Sequence, residues 1–116
     1  MLSRGEVWLA SLDPRRGTEP GKTRPELVVQ AQALLDATHP STLVIPLTTS
    51  LINNAEPLRI RVPASRGLRQ ASDLLVDQLR AIDNRRLVRG SLTRLSPSLM
   101  ATVGGAMREV LELVEG

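Results

Sequence analysis

The segment "SPSLMATVGGAMREVLELV", residues 96–114, constrains the fold more than any other stretch. Ser96 can cap a first turn, and Pro97 takes the first helical position, where a missing N–H is tolerated. Leu99, Val103, Ala106, Val110 and Val114 then recur at helical spacing, with Met100, Met107 and Leu111 beside them. The pattern predicts one amphipathic helix at the end of the chain. Gly104-Gly105 inside it costs about 1 kcal/mol per glycine relative to Ala, which predicts close approach to a neighbouring backbone. Ahead of the helix, short apolar runs alternate with turns rich in Gly, Pro and charge, as strands do.

The first strand spans roughly Glu6 to Leu12 and the second Glu26 to Gln30. Residues 31–41 read as a short helical or irregular connection that His39-Pro40 ends. "TLVIPLT" is a third strand, apolar on both sides and closed by Thr48, Thr49 and Ser50. "LRIRVP" alternates, with Leu58, Ile60 and Val62 on one face and Arg59 and Arg61 on the other. "DLLVDQLRAI" fits either period; lying among strands, it reads as one strand bent near Asp77. Asp83 to Arg86 reads as a short turn of helix, and "LVRGSLTRL" as a strand pair or a bulged strand. Strands first and one helix last predict an α+β fold: a small, mostly antiparallel, barrel-like sheet with a C-terminal α-helix. The 116 residues are the size of one domain, 1–116. Trp8 is the only aromatic residue, so the core must be aliphatic.

Composition removes several chemistries. With no cysteine there is no disulfide, thiolate metal site or Cys nucleophile. The one histidine, His39, precedes Pro40 in a loop, which removes a two-histidine nuclease and argues against a histidine-based triad. No metal-spaced His/Cys set occurs, and no cofactor is implied. Outside the acidic tail Asp73 and Asp77 are the closest carboxylate pair, with a solvated or salt-bridged role as their ordinary fate. No apolar run approaches a membrane span, and "MLSRGEVW" lacks a signal-peptide core, so a soluble cytoplasmic protein is expected. The formal charge is +3, and from Glu109 onward the tail carries Glu109, Glu112 and Glu115 with no base, so the rest is more basic still. Lys22 is the only lysine. Arginine suits bidentate phosphate contact, though GC-rich genomes favour it regardless of function.

The stretch "GTEPGKTRP", residues 17–25, has the look of a phosphate loop. It fails as one. Gly17 and Gly21 enclose three residues rather than four, and Arg24-Pro25 leads into a strand where a helix is required. What remains is a charged connection between two strands, of a length that is usually functional or disordered. If the second and third strands are neighbours, Arg24 and Thr48 sit at adjacent strand–loop junctions. A guanidinium and a hydroxyl converging on one point can grip a phosphate and stabilise charge building on it. Each residue also has a plain reading, Arg24 as a surface residue before Pro and Thr48 to Ser50 as turn formers.

"RGEVWLASLDPRRGTEPGKTRPELVV", "VIPLTTSL", "VDQLRAIDNRRL" and "RLSPSLMATVGGAMREVL", in this order, resemble the MazF/PemK toxins of bacterial toxin–antitoxin pairs. The most telling pieces are Gly5-Glu6-Val7-Trp8, Gly17 with Arg24-Pro25, Pro46-Leu47-Thr48 and Asp77-Gln78. The resemblance implies an SH3-like barrel, a homodimer, and an endoribonuclease that cuts single-stranded RNA without metal. It implies Arg24 as acid/base and phosphate anchor, Thr48 as support for the transition state, and Glu19 as a catalytic or positioning carboxylate. It also implies a cognate antitoxin with an acidic tail, which could order in a cationic groove.

The residues make this chemistry reasonable. Without metal or histidine, the attacking group would be the RNA's own 2′-hydroxyl, giving a 2′,3′-cyclic phosphate and a 5′-hydroxyl. An ordinary guanidinium pKa of ~12.5 suits charge stabilisation better than base work, so Arg24 is expected chiefly as an electrostatic stabiliser. Single-stranded RNA sites usually stack bases on aromatic rings; here Trp8 lies mid-strand, where the core is its ordinary place. Stacking would fall to arginine planes, with Arg15, Arg16, Arg66, Arg69, Arg85 and Arg86 as candidates. Thr18, Lys22, Thr49, Ser50 and Gln78 complete the expected RNA-binding set. Two rivals stand beside this reading: a non-catalytic toxin on the same scaffold that poisons a protein such as gyrase, and an RNA-binding barrel without activity.

Overall fold

The computed structural model describes residues 1–12 and 22–113. Its strands are β1 (Glu6–Ser11), β2 (Thr23–Val28), β3 (Ser41–Thr48), β4 (Arg59–Val62), β5 (Ser72–Leu75), β6 (Arg80–Asp83) and β7 (Leu87–Arg94). A short helix α1 (Gln32–Asp36) follows β2, and α2 (Pro97–Val110) ends the described chain. The strands form one sheet in the order β4-β5-β3-β2-β1-β7, all neighbours antiparallel, with β6 added to β3. Beyond β4 the chain turns back at Ser65–Leu68 and meets β7: Gly67 N donates to Leu92 O at 3.1 Å, and the Ser65 and Thr93 hydroxyls lie 3.0 Å apart. The two ends of the strand order are thereby joined, as a barrel requires.

β3 organises this sheet. Its first half, Ser41–Val44, pairs with β6, while Leu47 and Thr48 pair with β5. Pro46, which has no N–H to donate, lies where the partner changes. Val44, Ile45, Pro46 and Leu47 are all buried, as a strand covered on both faces must be. The segment read as one bent strand is therefore two, β5 and β6, split by a 3₁₀ turn at Val76–Gln78. The bend does fall at Asp77. Asn84–Arg86 form the expected turn, with the Asp83 carboxylate accepting from Arg85 N at 2.9 Å. β7 is one strand whose register against β1 shifts between Val7 and Ala10, as a bulged strand does. In β4, Ile60 and Val62 are buried as the alternation predicts; Leu58 lies before the strand begins and stays exposed.

Two apolar clusters lie on the two faces of the sheet. The larger joins Val7, Leu27, Ile45 and Leu47 to Val103 and Ala106 of α2. The smaller gathers Ala10, Val44, Ile82 and Leu87, with Trp8 against them. The Trp8 ring covers the Gly90 backbone so closely that a Cβ there would collide with the indole, and its Nε1 donates to Glu6 Oε1 at 3.2 Å. The indole thus serves packing, as its mid-strand position suggests.

α2 starts as expected, with Ser96 Oγ accepting from Leu99 N at 3.1 Å and Pro97 in the first turn. It stops sooner than the apolar stripe implies. Glu112 takes φ 56°, and Glu112 N and Leu113 N bond back to Glu109 O and Arg108 O, a Schellman end. Leu111 is consequently exposed, and Val114 lies outside the described residues. The expected backbone approach at Gly104-Gly105 is not found among the described residues, where a Cβ at either position meets nothing within 4 Å. Gly105→Ala is therefore expected to stabilise the chain by about 1 kcal/mol, raising Tm by about 4 °C in a thermal melt. A lowered Tm would mean that another chain covers this face.

Candidate functional site

β2 runs "TRPELV", so Arg24, Glu26 and Val28 share one face of the sheet while Pro25 and Leu27 share the other. Leu27 turns into the larger core. The ladder between β2 and β3 pairs Glu26 with Pro46, Leu27 with Ile45 and Val28 with Val44. The same register carried two residues further sets Arg24 level with Thr48, at the ends of their strands. On its other side Arg24 is level with Ala10 of β1, which pairs with Leu87 of β7. Antiparallel alternation brings the end of β1, the start of β2, the end of β3 and the start of β7 to one edge of the sheet.

Two further cationic residues, Lys22 and Arg86, lie at that edge. Lys22, exposed, accepts a hydrogen bond at its carbonyl from Leu12 N at 3.0 Å. Arg86 Nη1 donates to Ser11 O at 3.2 Å and Leu12 O at 3.0 Å, which ties the start of β7 to the end of β1. Thr48 Oγ1 accepts from Ser50 N at 3.2 Å, leaving its hydroxyl hydrogen to donate outward. Arg24, Thr49 and Ser50 are exposed, and Ser50 O accepts from Arg59 Nη1 at 2.8 Å.

Beside Thr48 lies a second polar cluster. Thr48 pairs with Asp73, a side chain 1% exposed that accepts from Arg61 Nε at 2.6 Å, Ile52 N at 2.9 Å and Arg59 Nη1 at 3.2 Å. Burial alone would push this carboxyl up; the bonds from Arg61, the Ile52 amide and Arg59 outweigh it and hold the group below its ordinary range. Arg61 also donates to Asn53 Oδ1 at 2.9 Å. The ion pairs and bonds shape a cavity of ≈290 Å³ lined by Ile52, Asn53, Asn54, Glu56, Arg59, Arg61 and Asp73. The salt-bridged fate expected for Asp73 is the observed one, and Asp77 is exposed.

The remaining candidates divide. Arg85 makes an exposed ion pair with Asp83 at 2.9 Å, and its hydrogen bonds hold the Asp83 carboxyl down to about 2. Arg66 and Arg69 belong to the turn that meets β7 at Leu92 and Thr93. Thr93 is level with Val7, three residues along β1 from Ala10, so the fold does not bring these two arginines to the Arg24–Thr48 edge. Gln78 is exposed on the 3₁₀ turn between β5 and β6. Arg15, Arg16, Thr18 and Glu19 lie outside the described residues. Among the described residues no three His, Cys, Asp or Glu side chains gather as metal ligands.

Sequence reasoning missed the buried pair on this same face. Glu26 is 0% exposed and ion-paired with Arg80, the first residue of β6, which is level with Val44. Burial pushes the Glu26 carboxyl up, and the charge and hydrogen bond of Arg80 and the charge of Arg24 offset only part of this. The available signal was a charged residue embedded in each of two apolar runs, "PELVV" and "QLRAI", each needing a partner.

Residues 3–111 match the family described as PemK-like, MazF-like toxin of type II toxin–antitoxin system. The chain is 31% identical to endoribonuclease EndoA of Bacillus subtilis over 116 residues, covering 99% of this chain and 98% of the relative. It is 33% identical to endoribonuclease MazF of Staphylococcus saprophyticus over 109 residues, covering 92% and 88%. Its fold matches toxin MazF-mt6 of Mycobacterium tuberculosis with TM-score 0.76 at 24% identity, covering 95% of this chain and 99% of the other. A MazE–MazF structure from Deinococcus radiodurans matches with TM-score 0.76 at 23% identity, covering 97% of each chain.

Proposed function

The chain belongs to the PemK-like, MazF-like toxins of type II toxin–antitoxin systems, and on that premise we propose that it is an endoribonuclease cutting single-stranded RNA without a metal ion. The observation that supports this reading is the β2–β3 register, which, continued two residues past the Glu26–Pro46 pair, would bring exposed Arg24 level with Thr48 at one edge of the sheet. A phosphodiester lying across that edge meets a guanidinium from β2 and a hydroxyl hydrogen from β3. As the 2′-oxygen bonds to phosphorus, negative charge grows on the non-bridging oxygens. Arg24 and Thr48 stabilise that charge in a geometry fixed before substrate arrives. The bond to the 5′-oxygen then breaks, leaving a 2′,3′-cyclic phosphate. The 2′-hydroxyl proton passes to Glu19, the acceptor we propose, and the departing 5′-oxygen takes its proton from solvent water. Lys22 and Arg86 add positive charge along the same edge, and the cavity beside Thr48 has room and polar lining for an adjoining nucleotide.

The same charged edge suits an acidic antitoxin segment, in keeping with the relatives solved as MazE–MazF complexes. A homodimer, a single domain over 1–116 and a cytoplasmic site of action complete the proposal. Among the described residues no helix is long and apolar enough to cross a membrane.

The test is cleavage of a long single-stranded RNA by the purified protein in excess chelator. Discrete fragments with cyclic-phosphate and 5′-hydroxyl ends are expected. RNA that stays intact would overturn the assignment.

A further inference from the structure

We propose that Glu26 is a positioning residue for Arg24, its free carboxylate oxygen drawing the guanidinium into place over the scissile phosphate while Arg80 holds the other oxygen. This rests on the reading of Arg24 as the phosphate-binding cation. Glu26 faces Trp8 on one side and Pro46 on the other, a mid-sheet position where an apolar side chain would pack at no electrostatic cost. A charge there needs a reason beyond folding. Oε1 is bound by Arg80 Nη2, but Oε2, like the Nε of Arg80, is buried with no hydrogen-bond partner among the described residues. Arg24 lies on the same strand face two residues away, about 7 Å along the strand, within reach of a long side chain. Its charge already acts on the Glu26 carboxyl.

The arrangement solves a problem that Arg24 has on its own. An exposed arginine on the end of a strand samples many rotamers, and every misplaced one weakens its contact with a reacting phosphate. A carboxylate at the root of the side chain narrows that choice. It would also cancel the charge Arg24 needs, were it alone. Arg80 prevents this: the trio Arg80, Glu26 and Arg24 carries one net positive charge, matched to one phosphodiester. A purely structural Glu26–Arg80 pair would share the burial but leave Arg24 indifferent to it.

The two cases separate with Glu26→Gln, which keeps the shape and loses the charge. On an RNA oligonucleotide with one cleavage site, kcat is expected to fall about 10- to 100-fold, with KM little changed and the melting curve still cooperative. In an Arg24→Lys background the same substitution should cost little more, because the guanidinium it positions is gone. Full kcat in Glu26→Gln, or an equal further loss in the Arg24→Lys background, would overturn the proposal. Should Glu26→Gln fold poorly, the neutral pair Glu26→Gln with Arg80→Gln replaces it under the same two criteria. A second readout stands apart from activity. The Arg24 Nε–Hε NMR signal, assigned by its loss in Arg24→Lys, should broaden or shift in Glu26→Gln; an unchanged signal overturns the proposal even if the wild-type chain proves not to cleave RNA.

Discussion

Arg24→Ala is expected to lower RNA cleavage by about 10²- to 10³-fold while leaving the fold intact. Arg24 is exposed, and its backbone, not its side chain, makes the sheet contacts at that position. Truncation therefore removes no packing and strands no buried partner except through Glu26. What it removes is positive charge aimed at an oxygen whose charge rises only as the reaction proceeds. In the proposed site such a loss would fall mainly on kcat, because Lys22, Arg86 and Thr48 would still hold the ground-state phosphate. Steady-state cleavage of a single-site oligonucleotide, with a thermal melt of the same preparation, checks both halves. A variant that unfolds, or one that cuts at the wild-type rate, would remove Arg24 from the site.

Arg80→Ala is expected to be the most destabilising single change at this edge, by about 3 kcal/mol. It strips the partner from a carboxylate that is 0% exposed. The lower end of the usual range applies because the Arg80 side chain is itself 38% exposed, so water reaches part of the pair. At this chain length the loss corresponds to a Tm drop of about 12 °C. The penalty has a pH signature. Burial already raises the Glu26 pKa above its unfolded value, and removing Arg80 raises it further. The neutral acid is then the tolerated form in the folded state. The variant should approach wild-type stability below the unfolded carboxyl range, near ~4.3, and lose ground as pH rises through the raised folded value. Adding Glu26→Gln should recover much of the loss at neutral pH. Chemical denaturation at pH 4 and pH 7.5 would reveal it; a deficit that did not depend on pH would assign the pair's effect to packing alone.

These expectations divide along how far apart the interacting residues lie in the chain. The start of α2 was legible because its cap and its first-turn proline are adjacent in sequence. The alternation of β4 and the apolar run of β3 were legible for the same reason. Arg24 and Thr48 could be nominated as strand–loop neighbours on the condition that their strands lie side by side, which they do. The division of "DLLVDQLRAI" into β5 and β6 was not legible, because it depends on β3 changing partners at Pro46. Gly104-Gly105 misled, since a glycine pair signals backbone approach only if another backbone is there. The position of Arg66 and Arg69 was not legible either, because charge carries no address: the turn beside them meets β7 at Leu92 and Thr93.

By itself the sequence determined local things: where the long helix begins, which runs are strands, which residue types can hold a phosphate, and the family likeness those motifs spell out in order. Tertiary structure alone decided which of them meet. Register is a two-residue matter, so a slip of one position would have turned Arg24 and Glu26 to the opposite face of the sheet. Only the packing of β2 against β3, with β6 joined along its first half, brings Arg80, 54 residues away, onto the carboxylate of Glu26 and points the start of β2 and the end of β3 toward one edge.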